Sequence, residues 1–240
     1  MMTTDPGRGL PLGATVLAAL FVTALVTAQL TAAKVLAFDV PFSLPYSGSS
    51  LVLPGAALAY ALTFFASDCY TELYGKRAAR RLVNVAFLMN FVMLGLVYST
   101  IAAPAAQSSI DPGQFAAVLG ASTNIVAGSL VAYLLSQNWD VFVFHAIRQR
   151  TGRGKLWLRN LASTATSQAL DTVVFVGIAF YILPQVAGIG PQLPTTVVLG
   201  LLVGQYALKL LIAVVDTPFV YLVTNAVRSA ESGRADHIMG

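Results

Sequence analysis

Long stretches without a charged residue determine what this chain can fold into. Between Arg8 and Lys34 there are 25 uncharged residues, and similar stretches occupy 40–67, 82–110 and 112–139. A helix needs about 20 mostly apolar residues to cross the hydrocarbon core of a membrane. Only 10% of all residues are charged, against about 25% in an average soluble domain. The chain is therefore expected to be a polytopic membrane protein.

The apolar stretches predict an all-α fold with six transmembrane helices. The first helix is placed at about 12–37, which is too long for the apolar core of a cleaved signal peptide. The three further charge-free stretches supply the second, third and fourth helices. Prolines and glycines crowd the segment 184–194. They divide the remaining apolar sequence into a fifth helix at about 159–183 and a sixth at about 195–225.

The positions of the basic residues predict the orientation, because cytoplasmic connections retain lysine and arginine. Twelve of the fourteen fall on one side of a six-helix arrangement. They are Arg8, Lys76, Arg77, Arg80, Arg81, Arg148, Arg150, Arg153, Lys155, Arg159, Arg228 and Arg234. The single domain 1–240 would carry its tails, about 1–11 and 226–240, on this side. The sequence thus predicts a multi-pass protein of the cell (inner) membrane with cytoplasmic termini, whose net charge of +4 does not require nucleic-acid binding.

Few residues are available for metal, disulfide or nucleotide chemistry. The single cysteine, Cys69, excludes a disulfide framework, and two histidines cannot form a histidine cluster. We expect neither a metal nor a cofactor. The segment 153–155 resembles part of a phosphate loop, but Leu156 replaces the serine or threonine, and Gln149 occupies the position that requires glycine. The chain is therefore not expected to hydrolyse ATP by this route, and any movement of a solute would be passive, coupled to an ion, or energised by a partner.

Charged residues near or inside the predicted helices are the main candidates for a functional site. Each costs roughly 2.5–3.5 kcal/mol to insert, and by default it faces a bundle interior or a wet cavity. They are Lys34, Asp140, Asp171, Lys209 and Asp216, with Asp68 and Glu72 near a helix end. Glu72 has an equally good explanation, since Lys76 lies four residues later as in an ordinary helical ion pair.

Helical spacing aligns several of these charges with other polar side chains. The stripes are Thr23, Thr27, Thr31 and Lys34; Tyr133, Ser136, Gln137, Asp140 and Phe144; Asn160, Ser163, Thr164, Ser167 and Asp171, with Gln168 beside them; and Gln205, Lys209 and Asp216. The pattern S-Q-x-x-D-x-x-x-F occurs at 136–144 and again at 167–175. It is either a duplicated half-site or chance. Isolated hydroxyl groups are equally well explained by helix packing.

The embedded groups predict the kind of solute that a shared cavity would bind. Five acids against two bases favour a cationic or donor-rich guest, or a proton carried by one acid. Amide and aromatic side chains add the hydrogen-bonding and stacking capacity that a flat heterocycle requires. The sequence therefore predicts a carrier for a small planar nitrogenous solute. The candidate binding residues are Asp171, Asp216, Lys209, Gln168, Gln205, Asp140, Gln137, Ser167, Asp68, Glu72 and Phe175.

Three blocks of sequence carry a family resemblance. They are the D-x-x-T-E-x-Y-G motif within 67–80, the run 156–172 that ends in S-Q-x-x-D-T, and Lys209 with D-T-P-F-x-Y at 216–221. Together they resemble the queuosine precursor transporter family, also called the vitamin uptake transporter family, over roughly 60–225. Cys69 and Tyr70 stand where more apolar residues are usual, which leaves the first motif intact.

The resemblance implies a six-helix inner-membrane protein that imports 7-deazaguanine precursors of the modified tRNA bases queuosine and archaeosine. In this interpretation Asp171 and Asp216 bind ring N–H groups or an aminomethyl cation. Gln168 and Gln205 would bind the ring carbonyl, while Lys209 balances or gates the acids. The choice between the nitrile and the aminomethyl base stays open, as does assembly into a homo-oligomer.

Other functions are compatible with parts of the sequence. The chain could be the substrate-binding component of an energy-coupling-factor vitamin importer, which also has six helices. An intramembrane aspartyl protease could use Asp140 and Asp171, since paired acids can share a proton. The G-x-G-D element of such proteases is absent, and we do not expect an enzyme. A structural scaffold would leave the embedded charges merely paired.

Overall fold

The computed structural model describes residues 11–151 and 156–239, and for 151, 156–160 and 230–239 it describes the backbone alone. The elements are α1 (Leu12–Thr31), β1 (Val35–Leu44), β2 (Gly48–Pro54), α2 (Ala57–Tyr74), α3 (Lys76–Ala102), α4 (Pro112–Gly120), α5 (Ser122–Thr151), α6 (Leu156–Val176), a π-helical stretch (Gly177–Ile182), α7 (Leu183–Val186) and α8 (Thr195–Met239). The predicted cytoplasmic residues Arg8, Arg153 and Lys155 lie outside the described residues. For Arg159, Asn160 and Arg234 no side chain is described.

Five segments of the described chain are long and apolar enough to cross a membrane. They are Leu12–Thr31, Lys76–Ala102, Pro112–Arg150, Leu161–Val186 and Thr195–Ser229. The 18-residue helix α2 is not among them, and it carries Asp68 and Glu72 in its C-terminal half. The structure thus confirms the mostly helical, membrane-spanning character of the chain. A sixth span and the cytoplasmic location of the termini stay predictions.

The largest error of the sequence analysis concerns the segment between α1 and α2, which forms an antiparallel β-hairpin. The predicted first helix ends at Thr31 rather than at 37, and Lys34 lies in the turn after it, so Lys34 is not inside a helix. β1 contains two valines and two phenylalanines, which favour strand, and Pro41, which disfavours a helix interior. Pairing with β2 satisfies backbone groups along the facing edges of the two strands.

The hairpin is seated on α8 through two glycines. A Cβ atom at Gly204 would overlap the carbonyl oxygen of Val52, and one at Gly200 would lie 3.3 Å from Val52 Cγ2. The spacing G-x-x-x-G therefore lets β2 approach the helix backbone closely. Because β2 continues directly towards α2, this contact also fixes where α2 begins.

The last three predicted helices are present, with local departures. The predicted fourth helix is interrupted at Ala121 and then continues to Thr151. The predicted fifth helix contains the π-helical stretch 177–182, a rare geometry that often occurs near functional sites. The predicted sixth helix corresponds to α8, which remains helical through Pro218.

Small residues allow the helices to pack closely around the centre of the bundle. A Cβ at Gly128 of α5 would lie 3.0 Å from Ala179 Cβ, so these two segments touch almost backbone to backbone. The buried cluster at the centre contains Ala28, Ala32, Ala56, Ile125, Ala132, Phe175, Val176, Ala179, Phe180, Val198 and Leu201. Association through small side chains is typical of helices in membranes, where lipid offers no hydrophobic driving force.

The two ends of the bundle differ in character. At one end Arg228 of α8 bonds to Glu72 of α2 at 2.8 Å, close to the basic start of α3. At the other end, the hairpin, α4 and the loop before α8 surround an open cleft of about 1180 Å³ that includes Lys34 and Tyr98. Apart from Lys34, the connections at this end contain no lysine or arginine, as the predicted orientation requires.

Candidate functional site

A cavity lies between the helices, close to the end that carries the hairpin. It has a volume of about 80 Å³ and receives side chains from α1, α2, α3, α5, α6 and α8. Its polar and aromatic lining consists of Gln29, Tyr60, Phe87, Ser129, Tyr133, Asp171, Phe175, Gln205 and Lys209. Pro54 and several alanine and leucine residues complete the wall. This combination of mostly apolar walls with a few convergent polar groups is typical of a small-molecule site.

A buried ion pair forms the charged part of this cavity. Lys209 Nζ lies 2.5 Å from Asp171 Oδ2, and the two side chains are 2% and 15% exposed. The ammonium group also lies 5.6 Å from the centre of the Tyr60 ring. Burying either charge alone would be strongly unfavourable, so each side chain serves as the counter-charge of the other. The pair offers a guest one strong acceptor and one strong donor on neighbouring atoms.

The repeated S-Q-x-x-D motif produces a reciprocal contact between two antiparallel helices. Ser136 Oγ of α5 lies 3.2 Å from Asp171 Oδ1, and Ser167 Oγ of α6 lies 3.4 Å from Asp140 Oδ1. Each hydroxyl also lies within hydrogen-bond distance of a carbonyl oxygen in its own helix, at 3.3 Å for Ser136 and 3.0 Å for Ser167. Each serine thus bonds to the acid of the other copy of the motif. Asp171 alone of the two acids lines the cavity. The motif therefore holds α5 against α6 and places one carboxylate in the cavity wall.

Two buried amide oxygens in the cavity wall have no hydrogen-bond partner within the described chain. They belong to Gln205, which is 5% exposed, and to Gln29, which is 3% exposed. Buried polar atoms usually have partners, and an unpaired acceptor in a binding cavity indicates a place for a ligand donor. Gln205 is a predicted site residue, whereas Gln29 is not.

Of the eleven candidate residues, four line the cavity: Asp171, Phe175, Gln205 and Lys209. Asp216 faces a separate apolar groove between α2 and α8, with Leu62 and Phe65, so it does not join them. Lys209 and Asp216 share a helix face, but about 10 Å of helix separates them. Asp68, which is exposed, lies within electrostatic reach of Asp216 rather than of the cavity.

The remaining candidates lie outside the cavity as well. Gln137 is exposed, Gln168 has a buried oxygen without a partner, and Asp140 and Ser167 bond to each other. Glu72 bonds to Arg228 rather than to Lys76. The predicted Glu72–Lys76 pair is wrong because Gly75, with φ at +86°, ends α2 and redirects the chain before Lys76.

Sequence reasoning missed Gln29, Tyr60 and Ser129. It selected the threonine stripe of the first helix instead, but Thr23, Thr27 and Thr31 are all exposed. The Thr31 hydroxyl donates to the carbonyl oxygen of Thr27, so it is satisfied within its own helix. The amide group of a glutamine cannot satisfy its hydrogen bonds so easily within its own helix. The available signal was therefore that Gln29 is the one amide residue in the first apolar stretch.

Removing the Glu72–Arg228 pair is expected to have little effect. The two side chains are 49% and 52% exposed, and such pairs contribute about 0–1 kcal/mol. Arg228→Ala should therefore lower the thermal midpoint of the purified protein by less than about 4 °C. Thermal unfolding in detergent measures this. If the thermal midpoint fell as far as it does when the buried Lys209–Asp171 pair is disrupted, the Glu72–Arg228 contact would be more than a surface pair.

Comparisons with known proteins identify relatives. The sequence profile of a family described as "Putative vitamin uptake transporter" matches residues 54–223. The chain is 31% identical over 173 residues to the "Probable queuosine precursor transporter" of Bacillus subtilis (strain 168), which covers 72% of each chain. It is 30% identical over 129 residues to the "Queuosine precursor transporter" of Escherichia coli (strain K12), covering 52% of this chain and 54% of the relative. No solved structure gives a significant match.

Proposed function

Because the chain belongs to the vitamin uptake transporter family, we propose that this multi-pass cell membrane protein imports queuosine and archaeosine precursors, the 7-deazaguanine bases. The observation that carries the proposal is the cavity between α1, α2, α5, α6 and α8, where an ion pair, amides and aromatic rings converge. The names of the two relatives support the substrate class. In this proposal the protein is a carrier and not an enzyme.

The chemistry of the cavity matches the edge of a guanine-like ring. Such an edge presents N–H donors beside a carbonyl acceptor. Asp171 can accept from the N–H groups while Lys209 donates to the carbonyl, once the guest separates the pair. Phe175 and Tyr60 offer aromatic faces or edges to the flat ring. Binding thus replaces one ion pair by two charge-assisted hydrogen bonds.

The position of the cavity suggests where the base enters. The open cleft at the hairpin end is lined by Thr31 and Gly55, and the cavity is lined by their chain neighbours Ala32, Pro54 and Ala56. The wall between the two spaces is therefore thin at this point. We propose that the base passes from the cleft into the cavity here, at the end of the bundle opposite the basic connections.

The proposed direction of transport follows from the orientation of the helices. The basic starts and ends of α3, α5 and α8 would face the cytoplasm, together with both termini. The cleft would then open to the outside, as uptake requires. Reporter fusions at both termini test this, and activity of an external reporter at either terminus would overturn the orientation.

The alternative of an intramembrane protease gains no support from the geometry. A protease dyad needs two acids that share a proton. Here Lys209 neutralises Asp171, and Ser167 bonds to Asp140. The carboxylate of Asp171 is thereby arranged for binding rather than for activating water.

Uptake of a radiolabelled 7-deazaguanine base tests the proposed function. In a strain that can neither make nor import the base, expression of the chain is expected to restore uptake and the corresponding tRNA modification. Comparing the nitrile with the aminomethyl base identifies the substrate, and adding an uncoupler shows whether a proton gradient drives accumulation. Absence of uptake for both bases at a normal membrane level would overturn the proposal.

A further inference from the structure

We infer that Gln29 is a specificity-determining residue whose amide oxygen accepts a hydrogen bond from an N–H group of the bound heterocycle. The inference rests on the proposed function and adds a residue of α1 to the site. Gln29 is 3% exposed and lines the cavity, yet its Oε1 atom has no partner within the described chain. The match to the family profile begins at residue 54 and does not include this helix.

The neighbouring Ser129 determines which amide atom of Gln29 is free. The Ser129 hydroxyl donates to the carbonyl oxygen of Val126 at 3.0 Å, so its only proton is already used. Its oxygen can therefore only accept, and Gln29 Nε2 donates to it at 3.1 Å. Rotating the amide by 180° would place Gln29 Oε1 against this oxygen, and the hydroxyl could donate to it only by giving up its bond to Val126. Ser129 thus holds the acceptor atom of Gln29 towards the cavity.

A second unpaired acceptor strengthens the inference. Gln205 Oε1, on α8, is likewise buried without a donor, and it lines the same cavity. Two helices therefore each present an amide oxygen, in addition to the carboxylate of Asp171. An empty buried acceptor is unfavourable, and a guest that supplies an N–H group removes that penalty. The site should select planar guests with several N–H donors and reject otherwise similar rings that lack one.

Binding measurements with donor-deficient analogues test the inference. The ligands are the 7-deazaguanine base that the wild type transports, the same base without its exocyclic amino group, and the same base methylated on a ring nitrogen. The variants of the purified full-length protein are Gln29→Met, which keeps the length of the side chain, and Thr27→Val, an exposed control on the same helix.

We expect the wild type to bind the parent base about 10–100-fold more tightly than at least one analogue. Gln29→Met should weaken binding of the parent base by a similar factor and leave binding of that analogue nearly unchanged. Thr27→Val should match the wild type throughout. Ser129→Ala removes the hydroxyl that orients Gln29 but leaves the amide of Gln29 itself in place. This variant should therefore lose part of the discrimination between the parent base and that analogue.

The outcomes separate this inference from the proposed function. If Gln29→Met and Ser129→Ala keep the discrimination of the wild type, or weaken all three ligands equally, Gln29 does not recognise a donor and the inference is wrong. If the wild type binds no 7-deazaguanine base at all, the proposed function itself fails, and the inference fails with it. Should Gln29→Met not fold, the Ser129→Ala comparison decides in the same way.

Discussion

Replacing Asp171 with asparagine is expected to reduce uptake of the base by at least about 100-fold. The substitution leaves the ammonium group of Lys209, which is 2% exposed, without its counter-charge. Removing one partner of a buried, hydrogen-bonded charge contact typically costs about 2–5 kcal/mol of binding free energy, and a loss of about 3 kcal/mol corresponds to roughly 100-fold. Initial uptake rates, compared at equal amounts of protein in the membrane, measure the effect.

The chain offers a matched control for this experiment. Asp216→Asn makes the same chemical change on α8, outside the cavity. Its affinity for the base should stay within about twofold of the wild type. The double variant Asp171→Asn with Lys209→Met should recover thermal stability but not binding, because no buried charge then remains unpaired. Wild-type uptake by Asp171→Asn, or equal loss of affinity in Asp216→Asn, would contradict the assignment of the site.

Replacing Gly204 with alanine is expected to destabilise the protein, although alanine is the better helix former. The new methyl group would overlap the carbonyl oxygen of Val52, and backbone atoms of the hairpin cannot move aside as a side chain can. Overpacking of this kind costs about 1–3 kcal/mol, which corresponds to a fall of roughly 2–12 °C in the thermal midpoint. Thermal unfolding in detergent and uptake assays measure the two consequences.

Gly95→Ala is the matched control for Gly204→Ala. Gly95 lies within α3, and a Cβ atom there would meet no other atom within 4 Å. This variant should be as stable as the wild type or slightly more stable, since helix propensity is then the dominant effect. Equal behaviour of the two variants would mean that the hairpin does not rest on α8 as the structure describes.

The sequence was sufficient to predict the membrane class and the family, and it singled out the two residues that form the buried ion pair. Lys209 and Asp171 stand out because a charge in an apolar helix is costly without a partner. Their partnership across α6 and α8 could not be predicted, since helical spacing aligns residues on one helix but gives no information about its neighbours. For the same reason, helical spacing groups Asp216 with Lys209, although Asp216 faces a different groove.

The hairpin and the position of Gln29 in the cavity could not be predicted from the apolar composition of the chain. Residues 35–54 contain a single charged residue, Asp39, so a search for charge-free stretches assigns most of them to helices, whereas in the structure they pair as β1 and β2 and contact α8. Gln29 carries no charge and stands alone on its helix, so it gives a weak signal beside four aligned polar residues. Its role depends on the Ser129 hydroxyl, 100 residues away in the sequence.

Protection of engineered cysteines by substrate tests most directly whether the base binds in this cavity. Cys69 is the single cysteine and is buried, so Cys69→Ala supplies a background without thiols. In that background, Ala57→Cys places a thiol in the cavity wall, and Leu62→Cys places one in the groove of Asp216 on the same helix. We predict that a 7-deazaguanine base slows maleimide labelling at position 57 and leaves position 62 unaffected. Protection at position 62 alone, or at neither position while uptake continues, would contradict the proposed site.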